Sequence, residues 1–398
     1  MKALLLVLDG VGDRPIKELG YRTPLEVANT PNLDRIAELG INGILDPISP
    51  GIRAGSDTAH LALLGYDPYE IYTGRGPFEA AGIGLKLERN DIALRCNFAT
   101  IDENGIVIDR RAGRISEGTE KLAKALNNIK LSKAKIIFKE SVAHRAVLIL
   151  RSKNEKLSYR VSDSDPHEVG KPILKVKPLE NSPEAEMTAN LLNEFTEKAI
   201  EVLKEHEVNK KREKEGKLPA NAILMRGAGV TPNLKPFKLS SACIATTGII
   251  KGICKLAGMD IIPAKKEYKV RFKQALEVLE KKEFLLMNIK EPDEAGHDGD
   301  FRKKIEIIEK IDESLDEILE FAKDNYVIIL GDHSTPVSVR DHTGDSVPVV
   351  ICGPEVRVDT VREFNERSCA KGGLNRIKGR DVMPILLDLM NKSEKFGA

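Results

Sequence analysis

Four short apolar runs constrain this chain more than any other feature: ALLLVL (3–8), FLLMNI (284–289), YVIIL (326–330) and VPVVIC (347–352). Each is a near-continuous apolar run rather than an alternation. That is the pattern of a strand covered on both faces, as in a parallel sheet with helices on either side. Between the second and third runs lies FRKKIEIIEKIDESLDEILEFAKD, where Ile305, Ile308, Ile311, Leu315, Ile318 and Ala322 recur every three or four residues. The period predicts an amphipathic helix, and hence a β-α-β unit. DVMPILLDLMN (381–391) reads as a closing helix. The two ends of the chain therefore spell a layered α/β domain with a central, mostly parallel sheet.

The middle of the chain differs. IALRCNFATI, AKIIFKE and HRAVLIL read as shorter strands, and EGTEKLAKALNNI and SPEAEMTANLLNEFTEKAIEVLKEHEV as helices. The charged run KEHEVNKKREKEGKLP (204–219) reads as a solvated helix end followed by a linker. A length of 398 residues suits two domains. The expected division is a discontinuous domain, 1–85 and 219–398, with a smaller α/β (α+β) domain inserted at 86–218. Segments near 80–86 and 210–220 would serve as hinges.

Lysine plus arginine, 62, nearly balances aspartate plus glutamate, 61, so no global field points to nucleic acid or an anionic membrane. A small anionic ligand would have to be held by a local cluster. The five cysteines (96, 243, 254, 352 and 369) are scattered and form no CxxC pair, which argues against a disulfide framework or a thiolate zinc site. MKALLLVLDG is too short in its apolar part for a signal peptide, and no run approaches the ~20 residues of a membrane span. The expectation is a cytoplasmic protein; its oligomeric state is not legible.

Three strand-like runs end in acids. ALLLVL meets Asp9, YVIIL leads through Gly331 into Asp332 and His333, and FLLMNI is followed by Asp293 and His297. His342 stands before the fourth run. In open α/β sheets, ligands bind outside the carboxyl ends of the strands, so these groups are expected to converge. Carboxylate and imidazole without thiolate suit Mn²⁺, Zn²⁺, Co²⁺ or Mg²⁺, and two such ions about 4 Å apart clamp phosphoryl oxygens. Ser56 follows Gly55 and precedes the helical pattern DTAHLALLG. It reads either as a helix cap or as a nucleophile at a helix N-terminus, where backbone N–H groups favour an anion.

LVLDGVGDRP, GSDTAHLALLGYDP, PDEAGHDGD, GDHSTP and HTGDSVPVVICGP together resemble the alkaline phosphatase superfamily. The match is closest to its archaeal-type cofactor-independent phosphoglycerate mutases. The resemblance extends through RGPFEAAGIGL, RCNFATID, DRRAGRI, SDSDPHEVG and MRGAG. It implies an alkaline-phosphatase-like three-layer domain with an inserted substrate-binding lid. It further implies a metal-dependent isomerase of glycolysis that passes phosphate between 3- and 2-phosphoglycerate through Ser56, without bisphosphoglycerate. Asp9, Ser56, Asp332 and His333 would bind one divalent ion, and Asp293, His297 and His342 a second. Mn²⁺ is the first choice, with Zn²⁺, Co²⁺ or Mg²⁺ as alternatives.

On the substrate side the middle segment offers Arg110, Arg111, Arg114, His144, Arg145 and His167, with Arg226 beyond the charged run. Arginine grips carboxylate or phosphate in bidentate fashion. Asp165 in SDSDPH reads either as an Asp-Pro turn or as the acid/base that moves a proton between glycerate hydroxyls. Three other readings stand beside the mutase. One is a phosphatase or phosphodiesterase of the same superfamily, another is a mutase of a different sugar phosphate, and the third is a non-catalytic binding paralogue.

Overall fold

The computed structural model describes residues 1–397, which form two compact units. The first comprises Met1–Ile71 and the segment from Leu234 onward; the second is Tyr72–Asn233. In chain order the first unit contributes strands β1 (Ala3–Leu8) and β2 (Gly40–Asp46). The second unit follows with β3 (Ile92–Ile101), β4 (Val107–Asp109), β5 (Lys135–Glu140), β6 (Arg145–Arg151) and β7 (Ala222–Gly229). The first unit resumes with β8 (Ser241–Ala245), β9 (Asp260–Pro263), β10 (Phe284–Ile289), β11 (Tyr326–Leu330), β12 (Val347–Cys352) and β13 (Asn375–Lys378).

The first unit is an α/β sheet of eight strands in the order β13-β2-β12-β11-β1-β10-β8-β9. The four apolar runs are β1, β10, β11 and β12, and every residue of each is buried. Leu4, Leu6, Leu8, Leu285, Met287, Ile289, Val327 and Ile329 join one core with Phe272, Leu279, Ile308 and Ile311 from the covering helices. Burial of each such side chain stabilises by about 1.5–3 kcal/mol, which rewards the continuous apolar pattern. β1 runs parallel to β10 on one side and to β11 on the other. The carboxyl ends of these three strands therefore lie side by side, about 4.8 Å apart. This is the frame on which the candidate site rests.

Two expectations need amendment here. β12 is antiparallel to β11, because the sixteen-residue connection 331–346 returns without a crossover helix. The expected single helix at 301–324 is two, Phe301–Asp312 and Asp316–Phe321. Between them Ser314 N–H and Leu315 N–H turn to the carbonyls of Ile311 and Asp312, at 3.1 and 3.0 Å, and tighten the chain. The break keeps Leu315 and Ile318 both in the core.

The second unit is an antiparallel sheet, β4-β3-β6-β5, with β7 also pairing β3. The helix Pro183–Lys204, capped by the Ser182 side chain, lays Leu192, Phe195, Ala199 and Leu203 into the same core as Phe98, Phe138 and Leu148. Its limits are wider than the expected 86–218. The helix Gly76–Gly82 packs on β3 so closely that a Cβ at Gly76 would meet Ala93 O at 2.0 Å, and β7 lies in the sheet. The segments expected as hinges, near 80–86 and 210–220, thus fall inside this unit. Nor is the charged run a linker: Glu207–Lys214 is a helix. It is fixed by Asn209, whose amide donates to the carbonyls of Leu203 (2.8 Å) and Ala220 (2.9 Å) and accepts from Ala220 N–H (2.8 Å). Among the described residues, no helix is long and apolar enough to cross a membrane.

Asn209→Leu leaves the Ala220 N–H and carbonyl without their partner and removes one donor to the Leu203 carbonyl, so it is expected to lower stability by about 2 kcal/mol or more. A urea titration followed by circular dichroism reads this as a fall in midpoint. An unchanged midpoint would return the run to the status of a solvated linker.

Candidate metal centre

The acids that end β1 and β11, together with the one that follows β10, meet as the topology requires. Asp9 and Asp332 are wholly buried, and Asp293 nearly so. His333 is also wholly buried and stands at the centre. Its Nε2 lies 3.5 Å from Asp9 Oδ1, 3.4 Å from Asp332 Oδ2 and 3.1 Å from Ser56 Oγ. The ligand atoms of Asp9, Asp332 and His333 lie within 4.8 Å of one another, and so do those of Asp293, His333 and His342. His342 Nε2 is 3.4 Å from Asp293 Oδ1, and His297 Nε2 is 3.5 Å from Asp293 Oδ2. All seven residues expected at the metal site are therefore gathered in the first unit, with His297 the most exposed of the histidines.

Local structure explains how each arrives. Gly10 adopts a φ of +62°, and a Cβ there would lie 2.6 Å from both Asp293 Cβ and Thr335 Oγ1. Only glycine lets the chain leave β1 this close to its neighbours. Ser56 opens the helix Ser56–Leu63, whose N-cap is Gly55. Its hydroxyl is therefore not the cap and is turned to His333 instead. Asp293 and His297 share one face of the helix Glu291–Asp298, as their spacing of four requires.

The electrostatics favour a cation. Burial, and then the neighbouring Asp9 carboxylate, push the Asp332 carboxyl well above its usual range. Its Oδ2 is buried without a hydrogen bond among the described residues. Burial and the adjacent His342 push His333 well below the usual imidazole range. For Asp293 burial works upward, but the His342 hydrogen bond and the Lys290 ammonium outweigh it and hold the carboxylate ionised. Two buried carboxylates at adjacent strand ends, one with an oxygen left over, form a donor set that fits divalent metal.

The other expected residues belong to the second unit. Asp165 is wholly buried and bidentate to Arg110, at 3.0 and 2.7 Å, and it accepts from His167 N–H at 2.9 Å. Burial raises its pKa, but the Arg110 hydrogen bonds outweigh that and keep it below the usual carboxylate range. His167 is exposed and pairs with Asp163 at 3.0 Å. Arg111, Arg114 and Arg145 are exposed. His144 is half-buried, and burial with the neighbouring Arg145 and Arg111 pushes its pKa down to about 4.

Several chemically loaded residues escaped the sequence reading. Lys290 donates to Asp9 Oδ1 at 2.8 Å and to Asp293 Oδ2 at 2.6 Å. His60 is wholly buried; its Nδ1–H donates to Ser56 O at 2.7 Å, and its Nε2 faces the Asn288 amide at 3.3 Å. Asn288 also donates to Asp9 Oδ2 at 2.9 Å. In the second unit Arg95 sits in the middle of β3, directly opposite Arg226 on β7. Like charges in that position repel, and Glu79 at 3.6 Å from Arg95 offsets this only in part. The Nε donors of Arg95 and Arg226 are buried without partners among the described residues. The available signals were a polar NIK ending an apolar strand and an arginine inside the otherwise buried IALRCNFATI.

A mostly parallel sheet whose strand ends gather carboxylates and imidazoles around a serine has the build of a metal-dependent enzyme. Residues 37–209 match the family model described as 2,3-bisphosphoglycerate-independent phosphoglycerate mutase. The chain is 53% identical over 415 aligned residues to a protein of that name from Methanothermobacter thermautotrophicus, with both chains fully covered. It is 50% identical to one from Methanocaldococcus jannaschii, covering all of this chain and 99% of that one. The solved structure of a cofactor-independent phosphoglycerate mutase from Thermoplasma acidophilum aligns with a TM-score of 0.72 at 39% identity, over 98% of this chain and all of that one. The chain belongs to the 2,3-bisphosphoglycerate-independent phosphoglycerate mutase family. Membership implies use of divalent metal and no bisphosphoglycerate.

Metal-stripped protein is expected to gain thermal stability when a divalent ion is added, in proportion to the logarithm of its concentration. Asp332→Asn should lose that gain, yet be at least as stable as the wild type when both are stripped, because one of two facing carboxylates is gone. Differential scanning fluorimetry with and without chelator checks both halves.

Proposed function

We propose that this protein interconverts 3-phosphoglycerate and 2-phosphoglycerate through a phosphoserine at Ser56, without bisphosphoglycerate. The observation that carries the reading is the 3.1 Å contact between Ser56 Oγ and His333 Nε2 amid buried acids, in a chain half identical to proteins bearing that name. Asp9, Ser56, Asp332 and His333 would hold one divalent ion, and Asp293, His297 and His342 a second. Mn²⁺ is the first candidate, and Zn²⁺, Co²⁺ or Mg²⁺ also match carboxylate and imidazole. Such ions, when bound, supply charge stabilisation to phosphoryl oxygens and lower the pKa of a hydroxyl beside them.

The chain's own groups do the rest. Ser56 Oγ gives up its proton and bonds to phosphorus as the bond from phosphorus to the glycerate oxygen breaks, and that oxygen takes up a proton. The neighbouring hydroxyl of the glycerate then gives up its proton and bonds to the same phosphorus, and Ser56 Oγ takes a proton back as its bond to phosphorus breaks. The N-terminus of the helix Ser56–Leu63 favours the negative phosphate. The Lys290 ammonium counters negative charge beside Asp9 and Asp293. Asp165, kept ionised by Arg110, is the proposed carrier of the glycerate proton. The unpartnered Nε donors of Arg95 and Arg226 suit the carboxylate of the substrate.

The direct test supplies 3-phosphoglycerate without bisphosphoglycerate and follows 2-phosphoglycerate and free phosphate together. Isomerisation in excess of phosphate release is expected; free phosphate as the main product would make the protein a phosphatase. Ser56→Ala is expected to lower turnover by about 10⁴-fold or more. Arg95→Met and Arg226→Met are expected to raise KM by about 10- to 100-fold, the worth of a charged hydrogen bond. Steady-state kinetics with purified variants reads each of these.

A further inference from the structure

We infer that Thr335 is a positioning residue: its hydroxyl anchors Asp293 and fixes the His333 proton on Nδ1, so that Nε2 faces Ser56, while the buried Lys304 ammonium fixes Thr335 itself. The inference deepens the metal-centre reading above, and its consequence for metal binding rests on that reading.

Lys304 lies on the helix Phe301–Asp312, wholly buried. Its three N–H donors meet three acceptors: Gly12 O at 3.1 Å, Asp13 Oδ2 at 2.9 Å and Thr335 O at 3.1 Å. Thr335 N–H donates in turn to Gly12 O at 3.1 Å. Both backbone groups of Thr335 are thereby tied to the loop that follows β1. A buried ammonium is costly unless fully paired, and this one is spent on joining the loops that carry Asp9 and His333.

The Thr335 side chain has the complementary task. Its hydroxyl donates to Asp293 Oδ1 at 2.6 Å and lies 3.1 Å from His333 Nδ1. A hydroxyl has one proton, and a carboxylate 2.6 Å from the Lys290 ammonium can only accept. The His333 contact is therefore a hydrogen bond only with the proton on Nδ1, donated to Thr335 Oγ1. That leaves the lone pair on Nε2, facing Ser56, Asp332 and Asp9. The other two histidines follow the same rule by a different means. His342 Nδ1 donates to Ala54 O at 2.8 Å and His297 Nδ1 to Arg340 O at 2.9 Å, and both turn Nε2 to Asp293. Backbone carbonyls hold the Nδ1–H of those two rings; His333 depends on a side-chain hydroxyl. The room for that side chain is tight: a Cβ at Gly296 would lie 2.8 Å from Thr335 Cγ2.

The test compares Thr335→Val, which keeps the shape and loses the hydroxyl, with Thr335→Ser, which restores it. Long-range ¹H–¹⁵N correlation of the imidazoles in metal-stripped protein reads the tautomer, with His333 assigned by comparison with His333→Gln. The wild type and Thr335→Ser should show the proton on Nδ1, and Thr335→Val should populate Nε2–H. Calorimetric titration with Mn²⁺ should show Thr335→Val weakened by about 10- to 100-fold and Thr335→Ser close to the wild type. Should Thr335→Val lose its native circular dichroism, Thr335→Ala carries the same comparison. An unchanged tautomer in the hydroxyl-free variant overturns the inference, and so does Thr335→Ser weakened as much as Thr335→Val. If the wild type binds no Mn²⁺, the metal-centre reading fails instead, and the tautomer alone decides the role of Thr335.

Discussion

The structure turns on the encounter of Asp9 with Asp332. Both carboxylates are wholly buried, and they end strands that are hydrogen-bonded neighbours, so the sheet itself forces them together. Two like charges at that depth are unfavourable by several kcal/mol in the absence of compensation. Nearly every polar group around them is a donor: Gly10 N–H to Asp332, the Asn288 amide and the Lys290 ammonium to Asp9. Asp332 Oδ2 still has no hydrogen bond. Divalent metal would resolve that imbalance, and the acids that would hold it stand at the ends of rigid strands.

The second unit poses the inverse problem with positive charge. Arg95 and Arg226 oppose each other on adjacent strands, with Arg75 close enough to depress both after burial has done so. One carboxylate, Glu79, is shared between Arg75 and Arg95. The first unit thus has buried anions short of a cation, and the second has buried cations short of an anion. Divalent metal would answer the first, and a small carboxylate held by guanidinium the second.

The strands and their terminal acids were legible because each is a local pattern, an apolar run punctuated by a charge. The seven residues expected at the metal site lie on such runs or in named motifs. What escaped was whatever depends on pairing across distant segments. Nothing near Val347 announces that β12 runs antiparallel, since both directions bury the same residues. The run 204–219 looks solvated because only Asn209 among its polar residues is buried, and one asparagine carries no periodic signal. Lys290, His60, Arg95 and Thr335 are single residues whose meaning comes from their neighbours in space. The second unit extends beyond the expected 86–218 because β7 reads as part of the main domain until its pairing with β3 is seen.

The central claim is that Ser56 is the group that carries phosphate. Rapid-quench mass spectrometry of the metal-loaded protein mixed with 3-phosphoglycerate tests it most directly. The account predicts a transient phosphate on the peptide that contains Ser56, present within a single turnover and absent when chelator is added beforehand. Turnover with no phosphate on that peptide, or with the label on His60 or another residue, would contradict it.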